Sequence, residues 1–291
     1  MHFAEYKSII SPQNNMNLYR GCTHGCIYCD SRSRCYQINH DFEDIEVKKD
    51  AAAILENQLR KRKGISMIST GAMCDPYIHL EEELLVTRQC LEVIERYGFG
   101  VCIQTKSNRI LRDLALLQRI NEKAKCVVAI TLTTYDDNLC RIIEPYVSTT
   151  SERYEILKEC QRVGIPTIVW IDPILPYIND TEENLRKLLD YCIDADVKGI
   201  ICFGFGLTLR EGNREFFYSK LENHFPDLKE KYIANYANKY ECYSFNNEYL
   251  MNIFSSVCKK HGIQHNIDDI FHFTKEFSKN SEQISLFDTT N

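Results

Sequence analysis

Between residue 44 and about residue 205 the sequence alternates two periodicities, and this alternation constrains the fold more than any other feature. Segments with apolar residues at helical spacing cover about 44–62, 80–97, 108–122, 151–163 and 181–193. Between them lie the short β-rich runs ISMIST (65–70), FGVCIQT (99–105), CVVAITL (126–132), PTIVWID (166–172) and KGIICFG (198–204). Each run is almost continuously apolar, as in a parallel sheet covered by helices. With one more strand around 14–19 there are about six βα units, and right-handed crossovers make them an α/β fold, an open or partial (β/α)6 TIM-like barrel. Such a barrel carries its chemistry at the C-terminal strand ends, and these ends are polar: Thr70-Gly71, Thr105-Lys106, Thr131 and Asp172-Pro173. Helix capping and turns favour the same residue types, so it is their shared position that marks them. Past residue 205 the alternation stops. The chain is expected to divide into a barrel (1–205), a C-terminal helical extension (206–278) and a disordered polar tail (279–291).

No stretch of about 18 uncharged apolar residues occurs, and MHFAEYKSII lacks the core of a signal peptide; the expectation is a cytoplasmic protein with no membrane contact. Eleven of the 14 cysteines are scattered singly among apolar neighbours, as reduced core residues are. The other three, Cys22, Cys26 and Cys29, fall in RGCTHGCIYCD with the spacing C-x3-C-x2-C. Soft thiolates match iron, and one short loop can wrap one face of an iron-sulfur cube. A cube held wholly by protein takes four cysteines, so three leave one iron open, as a catalytic zinc site keeps one position open. The alternative is a zinc knuckle completed by Cys35 or His24, although no paired second half follows. A net charge of -6 gives no global attraction to phosphate backbones. Arg20, Arg32, Arg34, Lys106, Arg109 and Arg112, in or near the loops of the barrel's upper rim, are the local positive charge that a nucleic acid could meet.

With Tyr28 immediately before the last cysteine and the motif placed after the first strand of a partial barrel, the sequence resembles the radical S-adenosylmethionine (SAM) superfamily. NMNLYRGCTHGCIYCD (15–30), DPYIHLE (75–81), QTKSNRILRDLALL (104–117), ITLTTYDDNLCRIIEP (130–145) and PILPYIND (173–180) are similar, in order, to the branch related to spore photoproduct lyase. The resemblance implies a radical SAM barrel and an enzyme. It implies a 4Fe-4S cluster held by Cys22, Cys26 and Cys29, with SAM on the fourth iron and reductive cleavage to a 5′-deoxyadenosyl radical that abstracts a hydrogen atom. By the same resemblance Tyr28 shields the cluster near the adenine, Thr70 and Gly71 meet the SAM amino group, Lys106 the carboxylate, and Thr131 the ribose or carboxylate. Asp75, Glu81 and Arg153 match branch motifs without an assigned role.

The implied substrate is DNA or another nucleic acid, with a reducing partner such as flavodoxin or ferredoxin; a protein or small-molecule substrate, or a non-enzymatic metal-stabilised module, are the alternatives. The chain departs from the lyase in having Asp30 where that enzyme has tyrosine after the third cysteine. Cys74, a candidate hydrogen donor, falls about two residues later than the lyase's donor cysteine. In the tail, QISLF (Gln283–Phe287) resembles the pentapeptide that binds the DNA sliding clamp, and it leaves Ile284, Leu286 and Phe287 as apolar residues in a polar segment that a groove on a partner would bury.

Overall fold

The computed structural model describes residues 1–276; the QISLF motif lies outside the described residues. In chain order the elements are β1 (His2–Ala4), β2 (Asn15–Met16), β3 (Tyr19–Arg20), β4 (Glu46–Lys48), α1 (Ala51–Arg60), β5 (Met67–Thr70), α2 (Glu81–Leu84), α3 (Val86–Tyr97), β6 (Gly100–Thr105), α4 (Leu114–Lys123), β7 (Cys126–Thr131), α5 (Asp137–Ile143), α6 (Thr150–Arg162), β8 (Thr167–Trp170), α7 (Glu182–Asp194), β9 (Gly199–Ile201), β10 (Gly206–Thr208), α8 (Asn213–His224), α9 (Leu228–Tyr236), β11 (Glu241–Tyr243), α10 (Asn247–His261) and α11 (Ile267–Lys275). Six strands form one parallel sheet in the order β2-β5-β6-β7-β8-β9, the layout of a partial TIM-like barrel.

The sheet explains why its strands are apolar throughout. Side chains alternate between faces. On one face Ile68, Val101, Ile103, Val128, Ile130, Val169 and Ile200 join the core built with the surrounding helices. On the other, Met67, Cys102, Val127, Ala129, Ile168 and Ile201 pack with Ile270 and Phe271 of α11, which covers the lower half of the inner surface. Continuing that inner parity upward reaches Gln104, Lys106, Thr131 and Asp172, with Trp170 at the boundary, its ring centroid 6.2 Å from that of Phe271 in α11.

Several expected boundaries shift for local reasons. The strand expected at 14–19 is split: β2 joins the large sheet, while β3 joins a three-stranded sheet of order β1-β4-β3. The helix expected from residue 44 starts at Ala51 because residues 46–48 are held between β1 and β3. The helix expected at 80–97 is broken at Leu85, whose φ of 54° lies in the left-handed region. Residues 108–113 form a 3-10 turn before α4. α5, which was not foreseen as a helix, is N-capped by Asp136, and α6 begins with a capping box between Thr149 and Glu152.

The extension is not wholly helical, since β10 and β11 pair antiparallel. It also shares a core with the cysteine loop: Leu207, Leu209, Phe217, Leu221, Tyr232 and Tyr236 cluster with Cys26, Ile27 and Tyr28. Among the described residues no helix is long and apolar enough to cross a membrane.

Candidate functional site

The cysteine loop leaves β3 through Gly21, whose φ is 85°; a Cβ there would lie 2.4 Å from the Phe42 carbonyl oxygen, so this turn admits only glycine. That same oxygen accepts the Cys22 amide at 3.0 Å. Further along, Ile27 donates its amide to Ile143 O at 2.9 Å and Tyr146 donates to His24 O at 3.2 Å, which ties the loop to the end of α5. Cys22 and Cys26 are buried and Cys29 is half-buried.

The three sulfurs suit a cluster better than a single ion. A tetrahedral zinc with bonds of about 2.3 Å needs sulfurs about 3.8 Å apart. Among the described residues Cys22, Cys26 and Cys29 do not all bring their sulfurs within 4.8 Å of one another, and neither Cys35 nor His24 joins them in such a group. Cys35 is exposed and contacts Arg210 at 3.4 Å, whereas His24 Nδ1 faces Asp75 at 3.5 Å. Burial pushes the Cys26 and Cys29 thiols up, in the case of Cys26 against the opposing pull of Lys106. A hydrogen bond from Cys74 instead favours the Cys22 thiolate, drawing it down to about 6 and holding Cys74 well up. Thiols kept neutral by a dry site become thiolates on metal binding, which couples loading to proton release.

A cavity of about 560 Å³ opens at the C-terminal strand ends beside this loop, and Tyr28, Cys29, Lys106 and Thr131 line it. Behind Tyr28 is a buried polar network. The Tyr28 hydroxyl and the Arg153 guanidinium both donate to the Glu144 carboxylate, and all three groups are buried. Arg153 also donates to Thr131 O at 2.7 Å and Ser148 O at 2.8 Å. For Glu144, burial is outweighed by Arg153 and Lys106, so its carboxyl stays below the ordinary range. For Lys106, burial is likewise outweighed, by Cys26 and Glu144, and the ammonium is held on.

Asp75 forms a second anchor. It accepts the Lys106 amide at 2.7 Å, the Thr105 hydroxyl at 2.7 Å and the Tyr77 amide at 2.8 Å, joining the loop after β5 to the end of β6. Glu81 accepts from the buried Tyr19 hydroxyl and, at 2.6 Å, from the Thr87 amide. Both carboxylates thus have structural work that the sequence left unassigned.

Of the expected cofactor residues, the structure brings Tyr28, Lys106 and Thr131 to the cavity with Cys29. The Thr131 hydroxyl is buried and has no protein partner, a donor and acceptor left for a ligand. Gly71 has φ 103°, and a Cβ there would lie 2.0 Å from Gln104 O; the two strand ends approach too closely for any side chain. Thr70 is buried on the parity of Ile68 and is not among the lining residues, and Cys74 is buried against Cys22 and does not line the cavity either.

Asp172, marked in the sequence as a polar strand end, lines the cavity; sequence reading missed Gln104 and Trp170, although counting every second residue along each strand from the inner face would have found them. It also missed Phe203, Tyr240 and Tyr243, which come from the segment after β9 and from β11 with the residue before it. Burial pushes the Asp172 carboxyl up to about 7 against the pull of Lys106. The expected basic rim is largely committed elsewhere: Arg32 pairs with Glu43, Arg34 with Glu211, Arg109 with Glu82, and Arg112 with Glu81 and Asp113. Of the six basic residues only Lys106 lines the cavity.

Among curated proteins, an uncharacterised protein of Mycobacterium bovis is 29% identical over 227 residues, covering 76% of this chain and 66% of the relative. An uncharacterised protein of Methanocaldococcus jannaschii is 29% identical over 217 residues, covering 74% of this chain and 77% of the relative. The chain therefore spans just under two thirds of the mycobacterial relative's length. Among solved structures, a doubly substituted spore photoproduct lyase with bound AdoMet and dinucleoside spore photoproduct gives a TM-score of 0.62 at 15% identity, covering 89% of this chain and 78% of that one. At that identity the likeness speaks for the fold. The profile of the Radical SAM superfamily matches residues 16–211, from β2 through the cysteine loop to beyond β9. Since this match takes in the whole parallel sheet and the thiol loop at its mouth, the chain belongs to the radical SAM superfamily, whose cofactors are a 4Fe-4S cluster and S-adenosylmethionine.

Proposed function

We propose that the protein is a radical SAM enzyme that cleaves SAM reductively and acts on DNA or another nucleic acid, in repair or modification. The observation that carries this reading is a single cavity shared by Cys29, Tyr28, Lys106 and Thr131 and by the aromatic residues Trp170, Phe203, Tyr240 and Tyr243. When bound, the cluster and SAM supply the electron transfer and sulfonium cleavage that yield a hydrogen-abstracting 5′-deoxyadenosyl radical.

The chain's own residues bind, orient and exclude water. Cys22, Cys26 and Cys29 would hold three irons. The Lys106 ammonium, half-desolvated and held on by its neighbours, would pair with the SAM carboxylate, and the unpartnered Thr131 hydroxyl would take a further polar group. Gly71 keeps the strand edge flat for backbone contact. Tyr28, fixed by Glu144, would cover the cluster.

The aromatic residues offer stacking faces for an unpaired base, a contact that needs no phosphate recognition. Binding of an oligonucleotide should fall with salt, which separates this reading from one on a neutral small molecule. Cys74 is proposed as a hydrogen donor on its position after β5 alone, and unchanged turnover in Cys74→Ala removes that role. In the same reading the segment Gln283–Phe287 holds the sliding clamp, flavodoxin or ferredoxin reduces the cluster, and deletion of residues 281–291 should abolish clamp binding.

A second reading, a cationic group on a protein or small molecule, has an observation in its favour. Asp30, Asp172 and Glu241 line the cavity against the single cation Lys106. One experiment tests both. Anaerobically reconstituted protein with dithionite and SAM should form 5′-deoxyadenosine, and Cys26→Ala should lose this more than about a hundredfold together with its iron. A rise with damaged oligonucleotides supports the first reading; a rise with basic peptides alone, or none with either, overturns it.

A further inference from the structure

We propose that His2, His40 and Glu46 form a second metal site, separate from the cysteine loop, which takes a divalent transition ion of the zinc type. One ligand atom from each of the three residues lies within 4.8 Å of the other two. The parallel register of β1 on β4 sets His2 opposite Glu46, and the loop before β4 supplies His40, so the three residues meet only in the folded chain.

Each imidazole is already oriented through its other nitrogen. His2 Nδ1 meets Asp44 Oδ2 at 3.0 Å, and His40 Nδ1 meets the Asp41 carbonyl at 2.9 Å. A ring that donates through Nδ1–H presents a lone pair on Nε2, the arrangement that stands behind metal-bound histidines. His40 Nε2 is buried and has no protein partner, which is costly for a polar atom unless a ligand meets it. His2 Nε2 lies 3.7 Å from Glu46 Oε2, too far for a hydrogen bond and close enough to share an ion. The Tyr6 hydroxyl occupies Glu46 Oε1, which leaves Oε2 free to ligate.

Two imidazoles and one carboxylate, with a fourth position for water, are a zinc ligand set; magnesium and calcium prefer oxygen throughout. The His2 side chain is 40% exposed, which gives the ion a way in.

Position suggests what the ion does. Phe42 lies in the loop between His40 and Glu46, and its carbonyl both holds the Cys22 amide and excludes any side chain from position 21. An ion joining residues 2, 40 and 46 would fix that loop, and with it the backbone at the first cysteine.

The test uses untagged protein with its cluster reconstituted, dialysed against micromolar zinc sulfate. It should retain about one zinc per chain, with extended X-ray absorption fine structure showing nitrogen and oxygen donors at about 2.0–2.1 Å and no sulfur shell at about 2.3 Å. His40→Ala and His2→Ala should each weaken zinc binding by about tenfold or more while iron content holds. Zinc should raise the thermal midpoint of the parent protein and leave that of the variants unmoved. Failure to retain zinc, a sulfur shell, or parental affinity in both variants would overturn the site. Should His40→Ala misfold, His2→Ala at the chain's edge decides the question alone.

Discussion

The network behind Tyr28 and the aromatic face formed by Phe203, Tyr240 and Tyr243 border the same cavity but are held in place by different means. On the cofactor side Glu144, Arg153 and the Tyr28 hydroxyl are buried and bonded to one another, and Asp75 fixes the neighbouring strand end with three further hydrogen bonds. On the other side Phe203 is 48% exposed and Tyr243 42%, and the rings meet at separations such as 6.0 Å between Trp170 and Phe203. Buried charges tolerate little displacement, because moving one partner strands the other. Loosely packed aromatic rings can turn to suit what they meet. The difference implies a fixed geometry where a radical must be aimed and an adaptable surface where a substrate is chosen.

Four substitutions would sharpen or break this contrast. The largest effect is expected at Arg153. Arg153→Met leaves the Glu144 carboxylate buried without its main partner and should cost about 3–5 kcal/mol in denaturant unfolding. Adding Glu144→Gln should recover part of that loss, and a single-variant cost under about 1 kcal/mol would show that the network is not what stiffens this side. An intermediate effect is expected at Tyr243, where Tyr243→Ala should weaken binding of the accepted substrate by about 1–3 kcal/mol. Its unfolding free energy should move by only about 0.5 kcal/mol; a large loss of stability there would erase the distinction.

A pH dependence is expected at Asp172, whose carboxyl burial raises to about 7 from an ordinary 3.8. Between those values the folded chain holds a proton that the unfolded chain has released, so this group's contribution to stability is present at low pH and declines as pH rises toward 7. In Asp172→Asn the thermal midpoint should fall less over that window than in the parent; parallel curves would mean that the carboxyl is solvated in the folded state.

Much of this was legible in the sequence. Continuous apolar runs marked five of the six strands because both faces of the sheet are covered, by helices outside and by α11 inside. The cysteine spacing and Tyr28 marked the loop. Thr70 lies off the cavity because it shares the face of Ile68, which packs against the helices, whereas Gly71 follows the parity of Met67; a polar strand end read without its parity does not show this.

Other features needed the folded chain. The strands β10 and β11 are three residues each, too short for a period to show. Glu144 and Arg153 sit nine residues apart on either side of a turn, and their pairing depends on how α6 packs beneath β7. His2 and Glu46 are brought together by strand pairing that no local pattern announces.

The apolar cluster that unites Cys26, Ile27 and Tyr28 with Phe217, Leu221 and Tyr232 bears on how far the protein can be shortened. Cutting it after the last parallel strand would not free a self-sufficient engine from a dispensable appendage, since the cut would strip the wall that the cysteine loop leans on and open its thiols to oxygen and water from behind. Trimming and domain exchange therefore have to spare everything up to the end of α11, which packs against the inner face of the sheet.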